Sequence, residues 1–561
     1  MENLLLLLAA VLCGSSAILS LIGPSQRFKK LAAILWCLSV LMIVSAVTLM
    51  LTYLITSKFE YQYIYSHSSL DTGLLYKISS LWSGQEGSFL LWALLLGLMG
   101  FFVLRLKGTW AHRALGIYSA ISFCIFLMCF ITKPFVKMEL VPLDGLGLTE
   151  ALKDPWMVIH PPLVFISYSA MAILFSLYAA LTKTSDQITS KLIVFWLRIS
   201  WFFLGIGILS GSIWAYRALG WGGYWAWDPI ENAALVPWLI LCGYLHRKEY
   251  NKKSVCIIPF TIACFGVFLA RSGILKDQSA HAYTDGNKII TGIFITFILG
   301  IILFLIITKA QKRNFPALKK RFLTLNRPLM IYCINGYAAL IFLGTVTPII
   351  FKQETPMAYF SAISIIFALF YNLLLLHSDS KWLMKRNILM MAVSTMLVIG
   401  IIMLFGSDKF WWLLLLWVCL MPLSLWIVSG FKTRSWTYYL SHLGVVFLIV
   451  GAIGSTALGK GAYIIVNPVD KNDAMIEGLH VPLTELYKND MLIKMLPTQD
   501  LLIHSSNIIT TLQGNLLIPY TTKPLIILFW IGSFFIIAQP FILILSDWFT
   551  DHPSKKILKL S

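Results

Sequence analysis

Long apolar runs recur along this 561-residue chain so regularly that they leave room for little else. To cross about 30 Å of hydrocarbon a helix needs about 20 predominantly apolar residues, and roughly 15 runs meet that requirement. They are centred near Leu8, Leu41, Leu96, Phe123, Ile173, Leu204, Leu239, Cys264, Ile298, Leu340, Ile366, Ala392, Leu415, Val446 and Phe535. Each segment must satisfy its own backbone polar groups inside the bilayer, so the runs are expected to be helices. The fold class is therefore an all-α polytopic membrane protein with roughly 15 transmembrane helices. Composition agrees, because 58% hydrophobic and 12% charged residues lie outside the soluble range.

The formal net charge of +19 is not read as a nucleic-acid signal, because Lys and Arg fall into alternate short loops. Among these loops are Arg27, Lys29 and Lys30; Arg105, Lys107 and Arg113; Arg247 and Lys248; Lys381, Lys385 and Arg386; and Lys555, Lys556 and Lys559. The positive-inside rule places them in the cytoplasm, so the N-terminus is expected outside and the C-terminus inside. Glu2 precedes the first run and basic residues follow it, which reads as an uncleaved span rather than a signal peptide. The nine cysteines lie in or beside spans, and no disulfide framework is indicated. No inner loop carries a nucleotide-binding fingerprint.

The outer side carries the longer segments. Residues 459–524, with AYIIVNPVD and NLLIPYTT among their alternating stretches, read as a small β-rich extracytoplasmic domain between the last two spans. The expected organisation is a transmembrane core over 1–458, this domain over 459–524, and a last span with a cytoplasmic tail over 525–561. His480 and His504 read as solvent-exposed within the β-rich stretch.

Residues 221–239, WGGYWAWDPIENAALVPWL, crowd aromatic rings around two carboxylates at the mouth of a span. Asp228 as N-cap, Pro229 at the first helical position and Glu231 at the third make a capping box. Trp and Tyr also gather at membrane interfaces. Those two effects explain the carboxylates and part of the aromatic content. They leave Trp221, Tyr224, Trp225, Trp227 and Trp238 beside Gly222 and Gly223, a pattern that also suits a flat platform on which a large planar ligand stacks. Both readings stay open at this level.

Histidine placement adds to the second. His160, in DPWMVIHPP, and His281, in KDQSAHAYTDG, fall on the same outer side as the tryptophan stretch. Two imidazoles on opposite faces of a planar macrocycle ligate haem iron. A second pair, His246 and His442, falls in the cytoplasmic half of the bilayer at the ends of two spans. With about 1.5 Å per residue of helix, their depths agree only loosely. Ionisable residues within a membrane are functional candidates, and histidines near helix ends are also ordinary interfacial residues.

Taken together, WGGYWAWDPIENAALVPWL, MVIHPP, RSGILKDQSAHA, SHLGVVFLIVGAIG and LWSGQEGSFLLW, with Trp82, Glu86 and Trp92, resemble the WWD-motif haem-handling family of cytochrome c biogenesis. Within it they resemble the CcmF family, the large haem lyase subunits of the multi-component maturation pathway. The likeness is strongest over about residues 75 to 285. It implies that haem from a haem chaperone is held on the platform of Trp221, Trp225, Trp227, Asp228 and Glu231 by His160 and His281. It further implies that a subunit presents the apocytochrome c, whose Cys-x-x-Cys-His thiols add to the haem vinyl groups, and that quinol is a plausible electron donor. A resident haem b on His246 and His442 would reduce the incoming haem, so haem is both cofactor and transferred substrate. Arg217 and Arg271 lie near the outer site in sequence and are candidate propionate contacts, with snorkelling to the interface as the alternative. Two departures from the family stand out: a looser LDGLGLTEALKDPWM ahead of His160 and a shorter outer β-rich loop.

The rival classes are a secondary transporter and a haem exporter without lyase activity. Transporters keep carboxylates or lysines at mid-membrane for ion coupling, and the acidic residues here are confined to loops and helix ends. The long outer segment suits a soluble partner and favours assembly over export.

Overall fold

The apolar runs fold into helices. A computed structural model describes residues 2–23, 25–108, 110–180, 187–218, 223–246, 254–275, 292, 326–353, 355–378, 383–405, 410–429, 431, 435–466, 473–476, 479–482, 492–496, 499–504, 508–510 and 516–550. Its helices are α1 (Glu2–Ile22), α2 (Gln26–Ile55), the short α3 (Gln62–His67) and α4 (Leu74–Ser79), α5 (Gln85–Leu104), α6 (Ala111–Thr132), α7 (Pro155–Ala180) and α8 (Gln187–Ala218). They continue as α9 (Pro229–Leu245), α10 (Ser254–Arg271), α11 (Asn326–Phe351), α12 (Met357–Ser378), α13 (Leu383–Phe405), α14 (Phe410–Ser429), α15 (Trp436–Ala457) and α16 (Ile526–Thr550). Among the described residues eleven helices are long and apolar enough to span a membrane, and three shorter apolar helices lie within α9, α10 and α13. These match every run expected from the sequence except the one centred near Ile298, which lies outside the described residues. The chain is a multi-pass membrane protein.

Two apolar cores organise the helices. The first packs α1, α2, α5, α6, α7, α8 and α10 around Trp36, Trp92, Tyr118, Phe126 and Phe260. The second packs α11, α12, α14 and α15 around Ile341, Tyr371, Leu416, Trp426 and Val446. Helix α9 belongs to both, giving Leu241 and Tyr244 to the first core and Val236 and Leu239 to the second. A helix apolar all round is one buried on every side, and here it joins the two cores directly behind the tryptophan stretch.

Helices α15 and α16 meet backbone to backbone. A Cβ placed on Gly532 would fall on the carbonyl of Gly444 and the amide of Leu448, and one on Gly451 would fall on the amide of Phe529. Small residues permit this close approach, and membrane helices associate through such packing. Gly532→Val is expected to lower the thermal unfolding midpoint in detergent by several degrees, since overpacking costs about 1–3 kcal/mol. Gly336→Val, at a position with nothing within 4 Å, should leave the midpoint unchanged.

Among the described residues seven strands lie between α15 and α16: β1 (Gly461–Val466), β2 (Asp473–Ile476), β3 (Leu479–Pro482), β4 (Leu492–Met495), β5 (Gln499–Ile503), β6 (Ile509–Thr510) and β7 (Leu516–Pro524). The main sheet runs β1-β7-β5-β4, with β6 also on β7, and β2 and β3 form a separate hairpin. One face closes over Val466, Leu501, Ile503, Leu516 and Ile518. The other is tied to the helices by Leu502, which packs with Tyr216, Ile526 and Phe529, and by the Tyr216 hydroxyl, which donates to Asp500 Oδ2 at 2.8 Å. Burial raises the Asp500 carboxyl above its ordinary value and lowers Lys523, which faces it across the ladder. His504 is half-buried rather than solvent-exposed, its Nε2 2.8 Å from Thr521 Oγ1. Desolvation, with Lys523 nearby, lowers its pKa. Its backbone amide also donates to the Pro519 carbonyl of β7 at 3.0 Å, a pairing that composition alone does not indicate. The His480 backbone pairs with Met475 in the hairpin.

Candidate functional site

At the start of α9, Asp228 Oδ1 accepts from the amides of Ile230 (2.7 Å) and Glu231 (3.4 Å), with Pro229 at the first helical position. Glu231 Oε2 reaches back to the amide of Ala226 at 3.1 Å, and Asn232 Nδ2 donates to the Trp227 carbonyl at 2.9 Å. This is a capping box widened by two residues, and it satisfies orphan amides of the helix and the preceding loop together. The carboxylates therefore shape the loop, and the rings form its surface.

Trp227 has φ +58°, a left-handed conformation costing a bulky residue about 1–3 kcal/mol. Its indole stacks on Phe360 of α12 at 5.0 Å and 7°, and Trp225 stands perpendicular to it at 6.2 Å and 82°. Trp225 Nε1 is buried and without a hydrogen-bond partner among the described residues. Tyr224 turns away, its ring 4.0 Å from Phe529, and burial pushes its phenol up to about 12. Trp238 lies within the bundle, stacked on Trp201 at 5.0 Å with Nε1 donating to the Trp201 carbonyl at 3.1 Å. Of the aromatic set, Trp225 and Trp227 remain at the loop, while Tyr224 and Trp238 serve packing. Trp221, Gly222 and His281 lie outside the described residues.

His160 sits near the start of α7, which Asp154 opens by accepting from the amide of Trp156 at 2.8 Å. Its Nδ1 is 2.7 Å from the carbonyl of Gly207 on α8. A carbonyl accepts only, so the proton sits on Nδ1 and Nε2 carries the lone pair. One turn along α8, Gly211 leaves room for the ring, since a Cβ there would lie 2.8 Å from His160 Cε1. Arg217 is committed to the same corner, its Nε 3.1 Å from Asp154 Oδ2. Arg271 is 8% exposed, donates through Nη2 to Ser88 Oγ at 2.6 Å and lies 5.4 Å over the Phe89 ring. Neither geometry is simple snorkelling. From the third motif segment, Trp92 is in the first core, stacked on Phe165 at 5.6 Å.

At the opposite end of α9, His246 and His442 come together. Their ring centroids are 6.0 Å apart at 84°. The loose agreement expected from loop charges is thereby tightened, because His246 is the C-cap of α9 and His442 lies in the second turn of α15. His246 Nδ1 is 2.9 Å from the Cys242 carbonyl and His442 Nδ1 is 2.8 Å from the Tyr438 carbonyl. Both rings are thus fixed as the tautomer whose Nε2 carries the lone pair, the arrangement that orients metal-ligating histidines. Tyr438 stacks on His442 at 4.0 Å. No group of three or more His, Cys, Asp and Glu among the described residues is placed to hold a metal ion, and what the described residues bring together here is two imidazoles. With metal–nitrogen bonds of about 2 Å, two imidazoles on opposite sides of one metal place their centroids roughly 6 Å apart, and the centroid distance of the pair matches that span.

The profile of the Cytochrome C assembly protein family matches residues 82–275. The cytochrome c-type biogenesis protein CcmF of Pseudomonas aeruginosa is 30% identical over 455 residues, covering 71% of this chain and 68% of that protein. The chain belongs to the CcmF family. NrfE of Haemophilus influenzae, another cytochrome c-type biogenesis protein, is 28% identical over 81% of this chain and 79% of its own length. The cytochrome c-type biogenesis protein ccl1 of Rhodobacter capsulatus is 34% identical, and the chain spans about half of it, 49%. A solved structure named Cytochrome c Heme Lyase CcmF shares the fold, with a TM-score of 0.72 over 96% of this chain and 97% of that one at 18% identity. The matched segment, residues 82–275, contains both the tryptophan loop and His246, whereas His442 lies beyond it. The sequence carries no signal for Gly207, Gly211 and Phe360, which meet His160 and Trp227 from other helices, or for Tyr438, which stacks on His442 from one turn earlier in the same helix.

Proposed function

We propose that this chain handles haem in cytochrome c biogenesis and supports its covalent attachment to apocytochrome c on the outer side of a bacterial inner membrane. The observation that carries this reading is the His246 and His442 pair, two imidazoles 6.0 Å apart with both Nδ1 atoms tied to backbone carbonyls. Those residues would hold a resident haem b. A resident haem supplies one-electron reduction, with quinol as the candidate source of electrons.

The remaining residues act on the substrate. Haem handed over by a haem chaperone would rest on Trp225 and Trp227, with Trp221 continuing the same platform. Asp228 and Glu231 keep that loop in its bent form, and His160 presents Nε2 to the substrate iron, with His281 as the second outer ligand. Gripping the ring faces and the iron leaves the vinyl edge open to a thiol. The thiol of a Cys-x-x-Cys-His segment, presented by a partner subunit, then adds to a vinyl group. The sulfur bonds to one vinyl carbon, the other takes the hydrogen, and no net oxidant is consumed. Arg217 keeps Asp154, and with it the start of α7, in place beneath His160. Arg271 braces the start of α5, so both arginines position the outer site, with propionate contact as a further role.

The absorption spectrum of the detergent-purified protein tests the carrying observation, because a b-type haem held by two imidazoles has a characteristic reduced spectrum. A transporter or exporter reading gains no specific support, since Asp154, Asp228 and Glu231 are all engaged at helix starts.

A further inference from the structure

Strand β1 is the outermost strand of its sheet among the described residues. It pairs antiparallel with β7, Tyr463 opposite Pro519 and Ile465 opposite Leu517. The Thr522 amide donates to the Lys460 carbonyl at 2.9 Å, which makes those two residues a hydrogen-bonded pair. Antiparallel ladders alternate, so the N–H and C=O groups of Gly461, Tyr463 and Ile465 point away from β7. The far side of β7 fixes the same phase independently, because the Pro519 carbonyl accepts there from the His504 amide at 3.0 Å.

Among the described residues, the side chains of Gly461–Val466 lack the usual protection, the nearest lysine being Lys460 just before the strand. Natural edge strands are blunted by lysine, proline or bulges, whereas β1 reads GAYIIV. Tyr463 is 64% and Ile465 63% exposed, and Ile509, paired with Leu517 on the other flank of β7, is 58% exposed. Alternation along β7 puts these three on the face that carries Leu502 and Asp500. That face is already an interface: Leu502 packs with Tyr216 and Phe529, and Tyr224 packs against the same group. The exposed corner therefore continues a contact surface that ends one residue from Trp225.

We propose that β1 binds an extended, haem-free stretch of the substrate polypeptide by strand addition, aligning it beside the tryptophan loop. This rests on the haem-attachment reading above. A thiol reaches a haem vinyl group only from a chain that is not yet folded, and such a chain offers its backbone donors and acceptors to an open edge. Main-chain pairing supplies affinity with little demand on sequence, and the Tyr463 and Ile465 side chains add apolar contact. One edge can thus serve substrates that share little beyond their Cys-x-x-Cys-His segment.

The test uses the full-length protein in detergent and a fluorescently labelled, haem-free c-type cytochrome polypeptide with alkylated thiols, so that binding is read without chemistry. Tyr463→Pro and Ile465→Pro each remove an outward N–H and leave the β7 ladder intact. Each is expected to weaken binding at least about fivefold, the worth of one or two backbone hydrogen bonds. Ile465→Thr, which keeps the edge, should stay within about twofold. A photo-crosslinker at position 463 or 465 should capture the polypeptide, and one at 464, on the covered face, should not. Proline variants that bind like wild type while keeping its melting midpoint would overturn the proposal, as would crosslinks only to a second copy of this chain. The haem spectrum of the same preparations reports separately on the haem reading: an intact spectrum with indifferent proline variants refutes strand addition alone.

Discussion

Purified wild-type protein is expected to show a b-type haem spectrum, and the His246→Ala, His442→Ala double variant to be colourless at the same protein concentration. This expectation follows from the geometry of the pair rather than from the presence of two histidines. Each imidazole is held through Nδ1 by the carbonyl four residues earlier, so ring rotation is restrained before any ligand arrives. Loss of an orienting partner alone typically costs a metal site about 10- to 100-fold in affinity, and loss of both ligands should cost more. Each single variant should retain haem weakly, with an altered spectrum from one missing axial ligand. The double variant should keep its melting behaviour as an apoprotein, because both rings are only partly buried at helix ends. Pyridine haemochrome quantitation gives the stoichiometry directly.

The second large effect is expected at His160. His160→Gly should lower covalent haem attachment by about 100-fold or more, and imidazole in the medium should restore part of it, since misplacement of a positioned group by about 1 Å can itself cost 10²-fold. Gly211→Ala tests the same point without touching the histidine. The added Cβ would lie 2.8 Å from Cε1 and 2.9 Å from Nδ1 of His160, closer than such atoms can stand. The ring must move off the Gly207 carbonyl, and attachment is expected to fall about tenfold. The resident-haem spectrum should be unchanged in both variants. Parallel loss of both signals would instead mean that α7 and α8 had come apart.

Much of this architecture is legible in the sequence because a membrane span must solve its own hydrogen bonding. The helices around Leu8, Leu204 or Phe535 need no tertiary information to be recognised. The start of α9 is equally legible, since Asp228, Pro229 and Glu231 carry a local capping pattern whose partners lie a few residues away. Contacts made between helices are not. Nothing near Trp238 announces Trp201 as its stacking partner, and nothing near Arg217 announces Asp154. Charge-derived depth brings His246 and His442 only loosely level, whereas α9, packed into two cores, and α15, starting at Trp436, set the distance. The left-handed backbone of Trp227 has no sequence signal, because a glycine would normally mark it.

The most direct test of haem attachment is made in cells that lack a haem lyase of their own, expressing this chain with its partner subunits and a secreted cytochrome c reporter. Haem staining of the denatured reporter reads thioether formation alone, since non-covalent haem is lost on denaturation. A stained reporter, lost with Cys→Ser in its Cys-x-x-Cys-His segment and with His160→Gly here, is the expected result. An unstained reporter beside a stably produced chain that still carries its b-type haem would contradict it and leave a haem-binding membrane protein without an attachment role.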